Sequence, residues 1–203
     1  MRFVPRKLHL SLYHRTASGN PSVQFARSAP LSPISTHPKT TVINEVYQMT
    51  NEQIISKLVE LNITISTAES CTGGSLGKII TSVSGVSAIY GYGFITYANE
   101  AKEKILGVKH ETLEKYGAVS SETALEMALG ARKVSGSDIA VSVTGIAGPG
   151  GGTKEKPVGL VYIAIADKDG AQYRKLNLAG NRDEVRKKTC GEVFCLIKER
   201  LKF

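Results

Sequence analysis

Hydrophobic and polar positions fall into a regular order from Met49 onward. Thr50 and Gln53 have the spacing of a capping box, and Ile54, Ile55, Leu58 and Leu61 follow at helical intervals, which predicts a first amphipathic helix. A short apolar run, Ile63 to Ser66, predicts a strand. The stretch TAESCTGG, Thr67 to Gly74, then reads as a turn, and Leu76, Ile79 and Ile80 mark the inward face of a helix from about Gly73 to Thr81. After a Ser- and Gly-rich break at Ser82 to Ser87, AIYGYGFITY, ending at Tyr97, alternates as a strand does, and Asn99 is placed to cap a helix containing Ala101 to Leu106.

The second half is punctuated in the same way. Ser120 or Ser121 caps a helix that turns Leu125, Ala128 and Leu129 to the core and ends near Gly136; DIAVSVTG is a strand and IAGPGGGTKEKP a loop. Val158 to Ala166 and Gln172 to Leu178 flank the turn DKDG, a hairpin signal that requires an antiparallel pair. Val185, Thr189, Val193, Ile197 and Leu201 recur at helical spacing in a last helix, roughly Asp183 to Leu201. Alternating strands and helices with one terminal hairpin predict an α/β fold: a layered α/β/α sandwich with a mixed sheet, occupying residues 49–203.

Residues 1–48 have a different character. Five of the seven prolines lie there, with many Ser and Thr and no sustained apolar period, so a disordered basic extension is expected. Two readings stand side by side: an organellar transit segment, for a mitochondrion or plastid, or an over-extended start with the working chain opening at Met49 in the cytoplasm.

Charge and composition then narrow the function classes. The net charge of +8 invites a nucleic-acid reading, but residues 1–44 hold six Lys or Arg and no Asp or Glu, leaving 20 basic and 18 acidic side chains elsewhere. The predicted domain is near neutral, so no nucleic-acid partner is expected of it. The longest apolar run, VGLVYIAIA, has strand length, which predicts a soluble protein without a membrane partner. Cys71, Cys190 and Cys195 lack CxxC spacing, which fits neither a disulfide framework nor a zinc site; Cys190 and Cys195 read as small buried hydrophobes.

TAESCTGG sets Ser70, Cys71 and Thr72 in a row where a strand hands over to a helix. A histidine-activated nucleophile needs a histidine, yet His9, His14 and His37 precede Met49, and His110 reads as a solvated loop residue. One histidine also leaves a catalytic zinc without ligands, so no metal and no cofactor is expected. A lysine base remains, because burial lowers a lysine pKa. Lys102, in the first turn of its helix, is such a lysine or a solvated helix residue; Ser70 is a nucleophile or a helix cap, with the amides around Thr72, Gly73 and Gly74 as candidate oxyanion donors. Cys71 is the weaker nucleophile. In VTGIAGPGGGTKEKPVG the glycines admit close approach of an anion, with Lys154 and Lys156 adding charge, though the loop matches neither a Walker nor a dinucleotide fingerprint and also suits a connector. Arg182 can reach a phosphate or face water.

TAESCTGG, GFITYANEAK, GAVSSETA, VSVTGIAGPGGGTKEKPVGLVY and NRDEVR resemble, in order and spacing, the CinA C-terminal-domain family, from about Met49 to the end of the chain. The resemblance implies a nicotinamide-nucleotide amidase that hydrolyses the carboxamide of nicotinamide mononucleotide to nicotinate mononucleotide and ammonia, an NAD-salvage step, as a homo-oligomer. It implies Ser70 as nucleophile with Tyr97 and Lys102. Substrate contacts are expected from Thr72, Gly73, Gly74, Thr144, Gly145, Gly148, Gly151, Lys156 and Arg182. Many family members carry an acidic or amide residue where this chain has Gly150, and the larger pyrophosphatase-linked domain of two-domain members has no counterpart, so that activity is not expected. The rival readings are a non-catalytic module that binds a pyridine nucleotide and a competence- or DNA-damage-associated module.

Overall fold

The computed structural model describes residues 49–203, and the expectations for the basic extension lie outside them. Thr50 opens α1 (Asn51–Glu60) through a reciprocal capping box: its hydroxyl accepts the Gln53 amide at 3.2 Å, and the Gln53 side chain accepts the Thr50 amide at 2.8 Å. Ile54, Ile55 and Leu58 are buried as predicted, whereas Leu61 lies at the C-cap, where the chain leaves the helix, and is exposed.

The next strand, β1 (Ile65–Glu69), starts two residues later than the apolar run suggests and extends through Glu69, so the first three residues of the expected turn, Thr67 to Glu69, are strand. The polar residues Thr67 and Glu69 tolerate this central, wholly buried position because each is hydrogen-bonded: Thr67 Oγ1 lies 2.7 Å from the Tyr90 hydroxyl, and Glu69 accepts main-chain amides described below. The chain continues through α2 (Ser75–Thr81), a 3₁₀ turn at Val86–Ala88 and β2 (Tyr92–Ile95). AIYGYGFITY thus supplies a strand of only four residues, because β1 offers it the register Ser66 to Glu69 against Tyr92 to Ile95.

Three helices follow: α3 (Asn99–Leu106), α4 (His110–Tyr116) and α5 (Ser121–Ser135). Asn99 is the first residue of α3 and Ala98 its cap; α4, taken for a loop in the sequence, begins at His110; Ser120 caps α5 through the Thr123 amide at 3.2 Å. The remaining elements are β3 (Ile139–Gly145), β4 (Leu160–Asp167), β5 (Gly170–Asn177) and α6 (Arg182–Leu201). The five-stranded sheet has the order β2-β1-β3-β4-β5, parallel from β2 to β3 and antiparallel through β4 and β5. It is the mixed α/β/α sandwich that the sequence pattern predicts.

Large aliphatic side chains of α1, α2 and α6 pack with Ile65, Val141, Val143 and Ile163 on one face. The other face is built of small residues: Ala124 and Ala128 of α5 meet Ala164 and Ala166, and Met127 and Ala131 meet Ala68 and Ala140. A seam of small side chains lets α5 lie close to the sheet, so Leu129, expected in the core, points outward and is exposed. Among the described residues no helix is long and apolar enough to cross a membrane.

The connection from β1 to β2 passes through α2 on one face, and that from β2 to β3 passes through α3, α4 and α5 on the other. Neighbouring strands β1 and β2 therefore send the chain to opposite faces of the sheet from their carboxyl ends, which opens a crevice there. The antiparallel hairpin returns the start of α6 to the same edge.

The depth of α3 against this edge is fixed where it meets α5. A Cβ on Gly130 would stand 1.9 Å from the Leu106 carbonyl oxygen, a backbone atom that cannot yield without moving α3. Gly130→Ala is expected to lower stability by about 1–3 kcal/mol in urea unfolding; an unchanged midpoint would contradict this close crossing.

Candidate active site

Ser70 is the first residue past β1, and its amide donates to the Val143 carbonyl at 3.0 Å, carrying the ladder one step beyond the strand. The turn behind it is clamped from two sides. The Glu69 carboxylate accepts the amides of Gly74 at 2.9 Å, Leu76 at 3.1 Å and Gly77 at 2.9 Å, capping α2, whose N-cap Gly74 has no side chain to do so. From α6, Arg186 donates to the Thr72 carbonyl through Nε at 3.0 Å and Nη2 at 2.6 Å, and Nη2 also reaches Ser75 Oγ at 2.9 Å. The Gly73 amide closes back on the Ser70 carbonyl at 3.1 Å.

These bonds correct the expected oxyanion donors. The amides of Gly73 and Gly74 are already used within the protein, and neither glycine lines the cavity beside Ser70. Thr72 is fully buried behind the turn.

Lys102, on the first turn of α3, is 1% exposed. Its Nζ donates to the carbonyls of Thr96 at 2.9 Å and Tyr97 at 3.1 Å and lies 3.4 Å from Ser70 Oγ. Burial holds its pKa below the usual lysine value, opposed by the weaker pull of Cys71 and Glu100. Carbonyl oxygens only accept, so they take two N–H groups of the amine. The remaining tetrahedral position faces Ser70, and in the neutral amine it is a lone pair directed at the serine hydroxyl.

The other candidates separate from this pair. Burial raises the Cys71 thiol to about 11, so it is not a thiolate at neutral pH. Cys190 is buried as expected and Cys195 partly so. His110 is exposed and bonded to Glu103 at 3.0 Å, which raises its pKa; it does not line the cavity.

The cavity holds about 250 Å³. Of the expected substrate contacts, Thr144, Gly145, Gly148, Gly151 and Arg182 line it together with Ser70, Tyr97 and Lys102, and so does Gly150. Thr72, Gly73, Gly74 and Lys156 do not. Lys156 is drawn away because its Nζ donates to the Tyr116 carbonyl at 2.6 Å. Arg182 crosses the mouth, donating to the Gly148 carbonyl at 2.8 Å and to the Tyr97 hydroxyl at 3.5 Å. Tyr97 thus meets Lys102 through its carbonyl, while its largely exposed phenol points to Arg182 rather than to Ser70.

Sequence reasoning missed Glu69 and Arg186. Glu69 ends a strand five residues before the N-cap Gly74, outside any local capping pattern, whereas Arg186 follows Arg182 by four residues on one helix face. Ala118 and Val119, which also line the cavity, stand in the GAVSSETA motif, whose match to the family was the available signal.

The family model of the CinA C-terminal domain matches residues 47–201. The chain belongs to the CinA C-terminal domain family. A relative in Acetivibrio thermocellus, named as a competence-damage inducible protein, is 56% identical over 141 residues, covering 70% of this chain and 34% of that protein. The chain therefore spans about a third of the length of the curated relatives it matches. Among solved structures, the competence/damage inducible protein CihA from Agrobacterium tumefaciens is similar at TM-score 0.70 and 41% identity, covering 80% of this chain and 97% of that one. A CinA superfamily protein from Klebsiella pneumoniae is similar at TM-score 0.72 and 29% identity, covering 76% and 99%.

Removing the Glu69 carboxylate leaves three amides at the start of α2 without their acceptor. Glu69→Ala is expected to lower stability by about 3 kcal/mol in urea unfolding. A loss below about 0.5 kcal/mol would show that water replaces the carboxylate at little cost.

Proposed function

We propose that the protein hydrolyses the carboxamide of nicotinamide mononucleotide, giving nicotinate mononucleotide and ammonia, with Ser70 as nucleophile and Lys102 as base. The observation that carries this reading is the buried Lys102 amine, whose position not taken by carbonyls faces Ser70 Oγ at 3.4 Å. Family membership and the motifs shared with nicotinamide-nucleotide amidases support the choice of substrate.

Neutral Lys102 accepts the Ser70 proton as Oγ bonds to the carboxamide carbon, and the carbonyl π pair moves onto oxygen. Collapse of this intermediate breaks the C–N bond, and the leaving nitrogen takes the proton from Lys102 as ammonia. Water then adds to the acyl-enzyme, again giving its proton to Lys102, and as the ester C–O bond breaks Ser70 Oγ takes that proton back, restoring the serine hydroxyl and the neutral amine. Arg182 and the glycine loop from Thr144 to Gly151 hold the ribose and phosphate; Tyr97 bounds the ring at the mouth, and a relay role requires its phenol to leave Arg182. The enzyme works as a homo-oligomer on a small molecule, with neither nucleic acid nor membrane as partner. Its compartment is the cytoplasm, or an organelle where residues 1–48 serve as a targeting segment.

Ser70→Ala and Lys102→Arg should each lower ammonia release from nicotinamide mononucleotide by about 10³-fold or more. Ligand binding by Ser70→Ala should survive in calorimetry. Wild-type protein that binds the nucleotide and releases no ammonia would favour the non-catalytic reading.

The protonated amine has no lone pair, so turnover should rise with pH as Lys102 loses its proton. Because burial lowers that pKa, the plateau should arrive below the usual lysine range near 10.4. A kcat profile that falls across this range would exclude the lysine base.

A further inference from the structure

The main-chain hydrogen bonds at this sheet edge leave a particular set of amides unused. Ser70 gives its amide to Val143, Gly73 to Ser70, Gly74 to Glu69 and Ile146 to the Leu160 carbonyl. Between them, the amides of Cys71, Ala147 and Gly148 have no acceptor in another residue among the described residues; beside the Cys71 amide there is only its own thiol. All three residues are buried and line the cavity that holds Ser70 and Lys102. The Thr72 amide is also without an acceptor, but Thr72 does not line the cavity; the amides of Ala118, Val119, Gly150 and Gly151, likewise without one, line it from less buried residues. Main-chain donors with no acceptor in the protein, standing on one cavity wall, are available to an anionic or carbonyl oxygen that enters the cavity.

We infer that these three amides form the receiver for the oxyanion that develops when Ser70 attacks, in place of the glycine amides of the TAESCTGG turn. The inference rests on the reading of Ser70 as nucleophile. Glu69 pairs with Val143 in the parallel register, so Ser70–Cys71 and the segment Thr144 to Gly148 leave adjacent strands side by side. Cys71 therefore offers a donor from the nucleophile's own turn, and Ala147 and Gly148 offer donors from the neighbouring loop.

The loop is held on both sides of these donors. The Ile146 carbonyl accepts the Gly159 amide at 2.8 Å, and the Gly148 carbonyl accepts Arg182 Nη1 at 2.8 Å. Arg182 is thus a positioning residue for the loop as well as a wall of the cavity. Donors fixed before the reaction need no reorganisation as charge develops, which is the condition under which such a receiver accelerates acyl transfer.

A crystal structure with pyridine-3-boronic acid tests the assignment. The trigonal boron accepts the Ser70 oxygen without expelling a group, the serine proton passes to Lys102, and the tetrahedral boronate carries the negative charge. One boronate oxygen should lie about 2.7–3.1 Å from the amides of Cys71, Ala147 and Gly148. That oxygen on Gly73 or Gly74, in solvent, or no adduct at all at saturating boronate would overturn the receiver.

A kinetic arm replaces Ala147 by lactic acid, turning its N–H into an ester oxygen. This variant should lose about 100-fold in kcat. Its melting temperature should fall only slightly, because that N–H supports no bond within the protein and only the Ile146 carbonyl, now an ester acceptor for the Gly159 amide, is weakened. Unchanged kcat in the ester would also overturn the receiver. A correctly oriented boronate in a protein that releases no ammonia from nicotinamide mononucleotide would instead sink the substrate assignment and leave the receiver standing.

Discussion

The Lys102 amine, shut away from water against two carbonyl oxygens and one hydroxyl, is the constraint around which this sheet edge is arranged. An ammonium so placed loses its hydration with no carboxylate bonded to it among the described residues, and that loss favours the neutral base. Each element near the site serves that placement. The pairing of β2 with β1 brings the Thr96 amide to the Glu69 carbonyl, setting the Thr96 and Tyr97 carbonyls beside Ser70. The contact of Gly130 with Leu106 sets how deeply α3 carries its lysine.

Serine placement is a second, separate problem, solved with opposite charges. The Glu69 carboxylate sits on the amides that open α2, and the Arg186 guanidinium sits on the carbonyl of the same turn. The turn is therefore tied to a buried strand and to α6, on elements that pack into the large aliphatic core. A site on such a turn keeps its geometry better than one on a free loop. The Glu69 carboxylate and the Ser70 carbonyl take the Gly74 and Gly73 amides, so neither glycine amide is free to receive an oxyanion.

How much of this was legible in the sequence follows the range of the interactions. Capping of α1 and α5, the hairpin and the mixed sheet were readable because capping boxes, turn residues and apolar periods act within a few positions. Leu61 and Leu129 were misplaced because their exposure depends on where a helix ends and how closely another lies on small residues of the sheet, which a periodic count does not register. Ser70 and Lys102 were reached by eliminating histidine and metal partners, and the family resemblance added Tyr97. Lys156 and the turn glycines were misassigned because their partners, Tyr116 and Glu69, become visible only when distant segments and backbone amides are placed. Glu69 itself was hidden in the motif as a residue expected in a turn.

The protonation state of Lys102 is the central claim, and it can be read without substrate. Lysine enriched with ¹³C at the ε position, assigned through Lys102→Arg, gives a resonance whose pH titration reports this amine alone. The account predicts a midpoint displaced below the usual lysine value of about 10.4, with the resonance of neutral lysine present at pH values where the surface lysines are still charged. A midpoint at or above the ordinary value would contradict it, because an ammonium bonded to two carbonyls has no lone pair to accept the Ser70 proton.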